Sequence, residues 1–368
     1  MVNNKTPTTA NNLAETMRLH GVSRRAFMKY CASLASLMAL PPTMAPSIAN
    51  ALENAPRPSV IWLSFQECTG CTESITRSHA PTVEDMIFNS VSLDYHHTLQ
   101  AASGHQAEAA REHAMKEHHG KYLVVVDGSI PVENPSYSCI AGISNLDMLK
   151  DTAAGAAAIV AVGTCAAYGG VAHADPNPTG AVAVGDVITD KPIINVPGCP
   201  PIPVVMTGVL AHFLTFGIPE LDELGRPTAF FGESIHDRCY RRSFYDKGLY
   251  AETFDDEGAR AGWCLYKLGC KGPTTKNACA TIKWNQGVSF PIEAGHPCLG
   301  CSEPDFWDNG GFYKPLSLPA GDYRIAANTA AAVGVGAGAG VASALLAKAG
   351  KAKAAREHET VDAHDLEK

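Results

Sequence analysis

The residues with the most chemical potential in this chain are its cysteines. Cys68 and Cys71 form a Cys-x-x-Cys pair in the loop Glu67-Cys-Thr-Gly-Cys71, directly after the apolar run Ser59–Phe65. Two thiolates from one turn suit a metal or cluster, a redox dithiol or a disulfide. Two single cysteines stand in turns rich in glycine and proline, Cys165 in Gly163-Thr-Cys-Ala-Ala-Tyr-Gly-Gly170 and Cys199 in Pro197-Gly-Cys-Pro-Pro201. Further on, His236, Cys239, Cys264, Cys270, Cys279, Cys298 and Cys301 place seven sulfur or imidazole groups within 66 residues.

The elements that must position the first four are strands. Val60–Phe65, Val91–Tyr95, Tyr122–Val126, Ala157–Val162 and Ile193–Val196 read as continuous apolar runs, as strands buried on both faces require. The spacing leaves room for crossover helices such as the polar, histidine-bearing stretch Gln100–Gly120. This predicts an open parallel sheet of the flavodoxin type. Cys68, Cys71, Cys165 and Cys199 each follow a strand, so all four are expected at one sheet edge, where such folds bind ligands. Zinc cages are usually built from two close pairs. One pair joined to two isolated cysteines in Gly/Pro turns favours an iron–sulfur cluster, because glycine lets backbone N–H groups approach an inorganic core. Cys139 has no partner at ligand spacing and reads as a buried structural thiol.

From about Gly225 to Pro319 periodicity fades and ligand types crowd together. A small irregular domain of this kind can be held together by its cofactors. Three disulfides from the six cysteines are the alternative, which leaves His236 without a role.

The two ends carry different signals. Ser23-Arg-Arg-Ala-Phe-Met-Lys29, an apolar stretch from Tyr30 to Leu40 and small residues around Ala49 and Ala51 have the order of an export signal, with paired arginines pointing to the twin-arginine route. That route carries folded proteins and so suits a cofactor loaded before export. Cys31 falls inside this leader. At the other end, Ile325–Ala347 is an uncharged Ala/Gly/Val stretch of 23 residues, followed by Lys348, Lys351, Lys353 and Arg356. It is expected to anchor the chain in a bilayer with its basic end on the cytoplasmic side, a flexible linker being the alternative. The net charge of -8 gives no basic field for nucleic acid. Twelve cysteines in 368 residues are too sparse for a small disulfide scaffold.

With these residues in view, the chain resembles the small, electron-transfer subunit of a periplasmic, membrane-associated uptake [NiFe] hydrogenase. The resemblance covers about residues 20–320. It rests on Val60-Ile-Trp-Leu63, Glu67-Cys-Thr-Gly-Cys-Thr-Glu73, Val126-Asp-Gly-Ser-Ile-Pro131, Gly163-Thr-Cys165, Pro197-Gly-Cys-Pro-Pro201 and His236-Asp-Arg-Cys239. It continues through Gly262-Trp-Cys-Leu-Tyr-Lys-Leu-Gly-Cys-Lys-Gly-Pro-Thr274 and Gly295-His-Pro-Cys-Leu-Gly-Cys301.

The resemblance implies a proximal [4Fe–4S] cluster on Cys68, Cys71, Cys165 and Cys199. It implies a distal [4Fe–4S] cluster on His236, Cys239, Cys264 and Cys270, and a medial [3Fe–4S] cluster on Cys279, Cys298 and Cys301, with Pro291 where a fourth ligand would otherwise stand. The Ni–Fe site, and so H2 cleavage, would lie in a large partner subunit, with no catalytic residue in this chain. Glu73 could assist proton transfer at the boundary, although a plain surface carboxylate is the simpler reading. Electrons would pass to a membrane acceptor, a cytochrome b or another quinone-linked subunit. Gly70 and Gly170 stand where oxygen-tolerant relatives carry extra cysteines, which implies an ordinary cubane and inhibition by oxygen.

The organisation expected is α/β: a leader over 1–51, a flavodoxin-like parallel-sheet domain over 52–224, a small irregular iron–sulfur domain over 225–320, an anchor over 321–347 and a cytoplasmic tail over 348–368. The rival readings are a cluster-bearing subunit of a quinone-reducing respiratory complex and an exported, disulfide-stapled binding protein.

Overall fold

A computed structural model describes residues 24–37, 40–54 and 57–316. The start of the leader, the expected anchor and the tail lie outside the described residues. Two helices precede the sheet, α1 (Arg24–Leu37) and α2 (Ala45–Asn54). Phe27, Cys31 and Ala35, at helical spacing on α1, bury against Ala45, Ile48 and Ala49 of α2. No helix among the described residues is long and apolar enough to cross a membrane.

The sheet has five parallel strands, β1 (Ser59–Ser64), β2 (Ser92–His96), β3 (Leu123–Asp127), β4 (Ala158–Val162) and β5 (Ile193–Val196), in the order β2-β1-β3-β4-β5. This is the flavodoxin order, and each strand lies within a residue or so of its predicted limits. Successive side chains point to opposite faces, so Val60, Trp62 and Val125 enter one core while Ile61, Leu63 and Val124 enter another. Both faces must then be covered, and helices cover them.

On one side lie α4 (His105–Glu117) and α5 (Asn145–Ala154). The predicted polar crossover is α4, and it buries the single stripe Ala107, Arg111 and Ala114. Arg111 is buried at its stem and satisfied at its head: Nη1 donates to Thr152 Oγ1 at 2.9 Å and Nε to Glu108 at 3.1 Å. Ser144 caps α5 by accepting from the Asp147 N–H at 3.1 Å. On the other side lies α7 (Pro203–Phe216), with proline in its first turn and Gly217 at φ 80° ending it. Every residue from Pro203 to Ala211 is buried, and Ala211 also meets the packed pair α1 and α2. Two short helices, α3 (Gly70–Ile75) and α6 (Gly163–Tyr168), start at the carboxyl edge of the sheet.

Among the described residues beyond Gly225 the chain forms only short segments, the helical turns Thr228–Phe231, Arg242–Asp246 and Glu257–Arg260 and 3-10 turns including Ile235–Arg238, Tyr266–Leu268, Gly272–Thr274 and Ala278–Ala280. They pack onto the sheet as part of one core, which runs from Val60 through Leu210, Phe230 and Leu265 to Cys298. One expectation fails. Cys139 is exposed, because the chain leaves the sheet after β3. Ile130–Pro131 pairs with Ala181–Val182 instead, and Cys139–Ile140 forms a two-residue surface ladder with Ile143–Ser144.

Candidate iron–sulfur sites

The four cysteines predicted at the sheet edge do meet there. Cys68 lies in the loop after β1 and Cys71 in the first turn of α3. Cys165 lies in α6 after β4, and Cys199 in the turn after β5. Burial lifts the Cys71 thiol well above its ordinary range, with Asp127, Cys165, Cys199 and Cys68 adding to the rise. Cys199 is pushed up to about 12 by burial and then by Cys165, Cys301 and Cys68. Thiols whose ionised forms would repel one another thus approach a common point from three segments of the chain. Glycine lines that point. A Cβ on Gly163, at φ +85°, would lie 2.5 Å from Cys71 Sγ, one on Gly170 2.7 Å from Cys165 Sγ, and one on Gly70 3.1 Å from Cys68 Sγ.

Two carboxylates that sequence reasoning passed over stand beside this group. Asp127 ends β3, is fully buried, and accepts from Trp62 Nε1 at 3.1 Å and Thr72 Oγ1 at 3.3 Å. Burial raises its pKa against those bonds. Glu67 is raised to about 7 by burial and by Asp127, with the Thr69 hydroxyl opposing. An acid closing the apolar run Leu123-Val-Val-Val-Asp127 was the signal available for the first. Glu73, by contrast, is exposed and pairs with Arg77 at 2.6 Å.

His236, Cys239, Cys264 and Cys270 line one cavity, flanked by Arg241 and Arg242. His236 sits in a turn closed by a reciprocal cap: Ser234 Oγ accepts from the Asp237 N–H at 3.2 Å and Asp237 accepts from the Ser234 N–H at 3.1 Å. Its ring meets Tyr245 edge-on at 4.5 Å. Burial, then Arg242, lowers its pKa to about 4, so the imidazole is neutral at pH 7 and able to bind a metal. Cys264 is pushed up to about 12, first by burial and then, against a Tyr266 N–H, by Cys270 and Cys239.

Cys279, Cys298 and Cys301 form a third group. Burial and then Cys301 push Cys279 to about 12. Burial and then Cys270, Cys301 and Cys279 lift the Cys298 thiol well above its ordinary range. Gly300 N–H donates to Cys298 Sγ at 3.4 Å. Pro291 is exposed and contributes no side-chain ligand atom. This group is linked to both others: the Cys298 N–H donates to Cys270 Sγ at 3.4 Å, and the Cys301 carbonyl accepts from Thr164 Oγ1, next to Cys165.

None of the twelve cysteines forms a disulfide. Among the described residues no three His, Cys, Asp or Glu side chains draw close enough to hold a single metal ion. Thiols set wider than a one-ion cage, mutually repelling, and floored by glycine fit a larger cationic core. Such a core relieves the repulsion and leaves room for N–H donors to its sulfides.

The comparisons agree with this chemistry. Residues 231–314 match the family described as the C-terminal part of the NiFe/NiFeSe hydrogenase small subunit. Residues 68–213 match NADH ubiquinone oxidoreductase, 20 Kd subunit. The chain is 53% identical over 305 residues to the uptake hydrogenase small subunit of Azotobacter vinelandii, covering 82% of this chain and 85% of that one. It is 52% identical over 302 residues to the hydrogenase-1 small chain of Escherichia coli K12, covering 82% and 81%. Among solved structures it is similar to a reduced, active Ni-Fe-Se hydrogenase from Desulfomicrobium baculatum, with TM-score 0.66 and 36% identity over 71% of this chain and 100% of that one. An actinobacterial-type NiFe-hydrogenase from Ralstonia eutropha H16 gives 0.65 and 26% over 82% and 92%. The respiratory-complex family matches only the sheet region, whereas hydrogenase small subunits account for both halves, and this chain belongs to the small-subunit family of [NiFe] hydrogenases.

Proposed function

We propose that this chain is a three-cluster electron relay for a hydrogenase whose Ni–Fe site and H2 chemistry reside in the large subunit. Cys68, Cys71, Cys165 and Cys199 hold a proximal [4Fe–4S] cluster. Cys279, Cys298 and Cys301 hold a medial [3Fe–4S] cluster. His236, Cys239, Cys264 and Cys270 hold a distal [4Fe–4S] cluster. The observation that supports this order is that the third cysteine group is bonded towards both others, the Cys301 carbonyl accepting from Thr164 next to Cys165 and the Cys298 N–H donating to Cys270 Sγ. Spatial order thus differs from chain order, as a relay with a middle station requires.

Bound clusters supply one-electron carriers whose potentials follow ligand type, burial and N–H···S bonds. The chain's own residues hold and insulate them: glycines 70, 163 and 170 admit the core, the sheet edge fixes four ligands, and neutral His236 gives the outer site an uncharged ligand. Anaerobic co-purification with the large subunit, followed by iron, acid-labile sulfide and EPR measurements, tests the assignment. The expected result is three clusters with a medial [3Fe–4S] signal in oxidised protein, and a chain free of iron overturns it.

The same reading places the protein on the periplasmic side of the cytoplasmic membrane. It would be exported folded by the twin-arginine signal, held by residues 321–347, and would deliver electrons to a cytochrome b or another quinone-linked acceptor. Truncation after Tyr323 should move the enzyme from the membrane to the soluble fraction, and unchanged fractionation overturns the anchor. Glycine at positions 70 and 170 supports an ordinary proximal cubane and an oxygen-inhibited enzyme. Sustained H2 oxidation in air would count against that.

A further inference from the structure

One hydroxyl joins loops from two of the three sites. Thr164 is buried, one residue before Cys165. Its backbone N–H donates to the Gly198 carbonyl at 3.0 Å, and its Oγ1 accepts from the Gly198 N–H at 2.9 Å. Gly198 directly precedes Cys199. The same Oγ1 spends its only proton on the backbone carbonyl of Cys301. A hydroxyl has one hydrogen and two lone pairs, so this donation fixes its orientation. The turns carrying Cys165 and Cys199 are thereby tied to the turn carrying Cys301. The Cys199 backbone N–H also faces the Cys301 thiol.

We propose that Thr164 is a positioning residue that sets the separation and orientation of the proximal and medial sites through its hydroxyl bridge. The proposal rests on the three-cluster reading above. A single electron crosses this junction, and Thr164 exchanges no proton in the step. It acts only by holding Cys301 against Cys199 and Cys165. At the other junction the donors are backbone N–H groups: that of Cys298 meets Cys270 Sγ at 3.4 Å, and that of Lys271 donates to the Cys298 carbonyl at 2.8 Å. Thr164 is therefore where a side-chain change reaches a junction while leaving every candidate ligand in place.

The test compares Thr164→Val, which keeps the shape and removes the hydroxyl, with Thr164→Ser, which keeps the hydroxyl, in the anaerobically purified heterodimer. The readout is the magnetic interaction that broadens the EPR signal of the reduced, paramagnetic proximal cluster beside the reduced medial cluster, which is also paramagnetic, alongside iron content. The expected result is an altered interaction in Thr164→Val at full iron content, with Thr164→Ser like the wild type. If Thr164→Val fails to assemble, a normal Thr164→Ser still supports the hydroxyl. A Thr164→Ser protein as defective as Thr164→Val overturns the proposal, and so does an unchanged interaction in Thr164→Val. Wild-type protein without a medial [3Fe–4S] signal would instead overturn the three-cluster reading, a distinguishable failure.

Discussion

Arg226 and Glu303 meet where the sheet passes into the irregular half of the chain, the guanidinium Nη1 lying 3.0 and 3.1 Å from the two carboxylate oxygens. Arg226 Nε also donates to Asp222 at 2.8 Å, and Glu303 accepts from the Lys276 N–H at 2.6 Å. Glu303 lies two residues after Cys301. Removing one partner of a buried pair strands the other, which costs about 3–5 kcal/mol. Arg226→Met should lower the unfolding free energy of the anaerobic protein by that order. The Arg226→Met/Glu303→Met double variant should lose less than the two singles summed.

The glycine floor of the sheet-edge site gives a sharper contrast. Gly163→Ala puts a methyl group 2.5 Å from Cys71 Sγ, whereas Gly295, at a similar φ of +89°, has open space around it. Gly163→Ala should bind about four fewer iron atoms per chain. Gly295→Ala should keep its iron and lose only about 1 kcal/mol to backbone strain. Equal iron in both variants would refute the cradle.

Replacing His236 with cysteine changes a neutral ligand into an anionic one. The distal site should retain four irons while its reduction potential falls, by roughly 100 mV or more, since imidazole ligation raises cluster potentials. Redox titration followed by EPR measures this. A potential that does not move would remove His236 from the ligand set.

Acid should loosen the β1–β2 side of the sheet. His96 is fully buried with Nε2 unpartnered, and its Nδ1 accepts from the Thr98 and Leu99 N–H groups at 3.1 and 3.3 Å. Trp62 lies 5.0 Å away, ring centre to ring centre, and both line an apolar cavity of about 30 Å³. Burial, then His97, pushes the His96 pKa down to about 4. The unfolded chain binds the proton first, so this contribution to stability is complete above about pH 6.5 and is lost as pH falls towards 4. It amounts to about 3 kcal/mol. Thermal unfolding of the wild type and of His96→Phe across that window should show a shallower acid slope in the variant.

The strands are legible because a sheet buried on both faces writes itself as uninterrupted apolar runs, and the four thiols follow from where those runs end. Cys139 misleads because a chain leaving a sheet after Gly128 looks, residue by residue, like one continuing it. Thr164 and Arg226 are not legible for a different reason. Each matters through partners 34 to 137 positions away, such as Gly198 for Thr164 and Cys301 beyond it, and no local pattern encodes such a meeting.

The core shared by Trp62, Leu210, Leu265 and Cys298 also bears on turnover. Close-packed interiors compress little, so carriers held at the medial and distal sites proposed above would keep their spacing whether oxidised or reduced. Electron hopping between them would then need no conformational gate. Transfer between the sites should accordingly be indifferent to solvent viscosity, and any viscosity dependence of the enzyme should arise outside this chain's interior, at the docking of its redox partners.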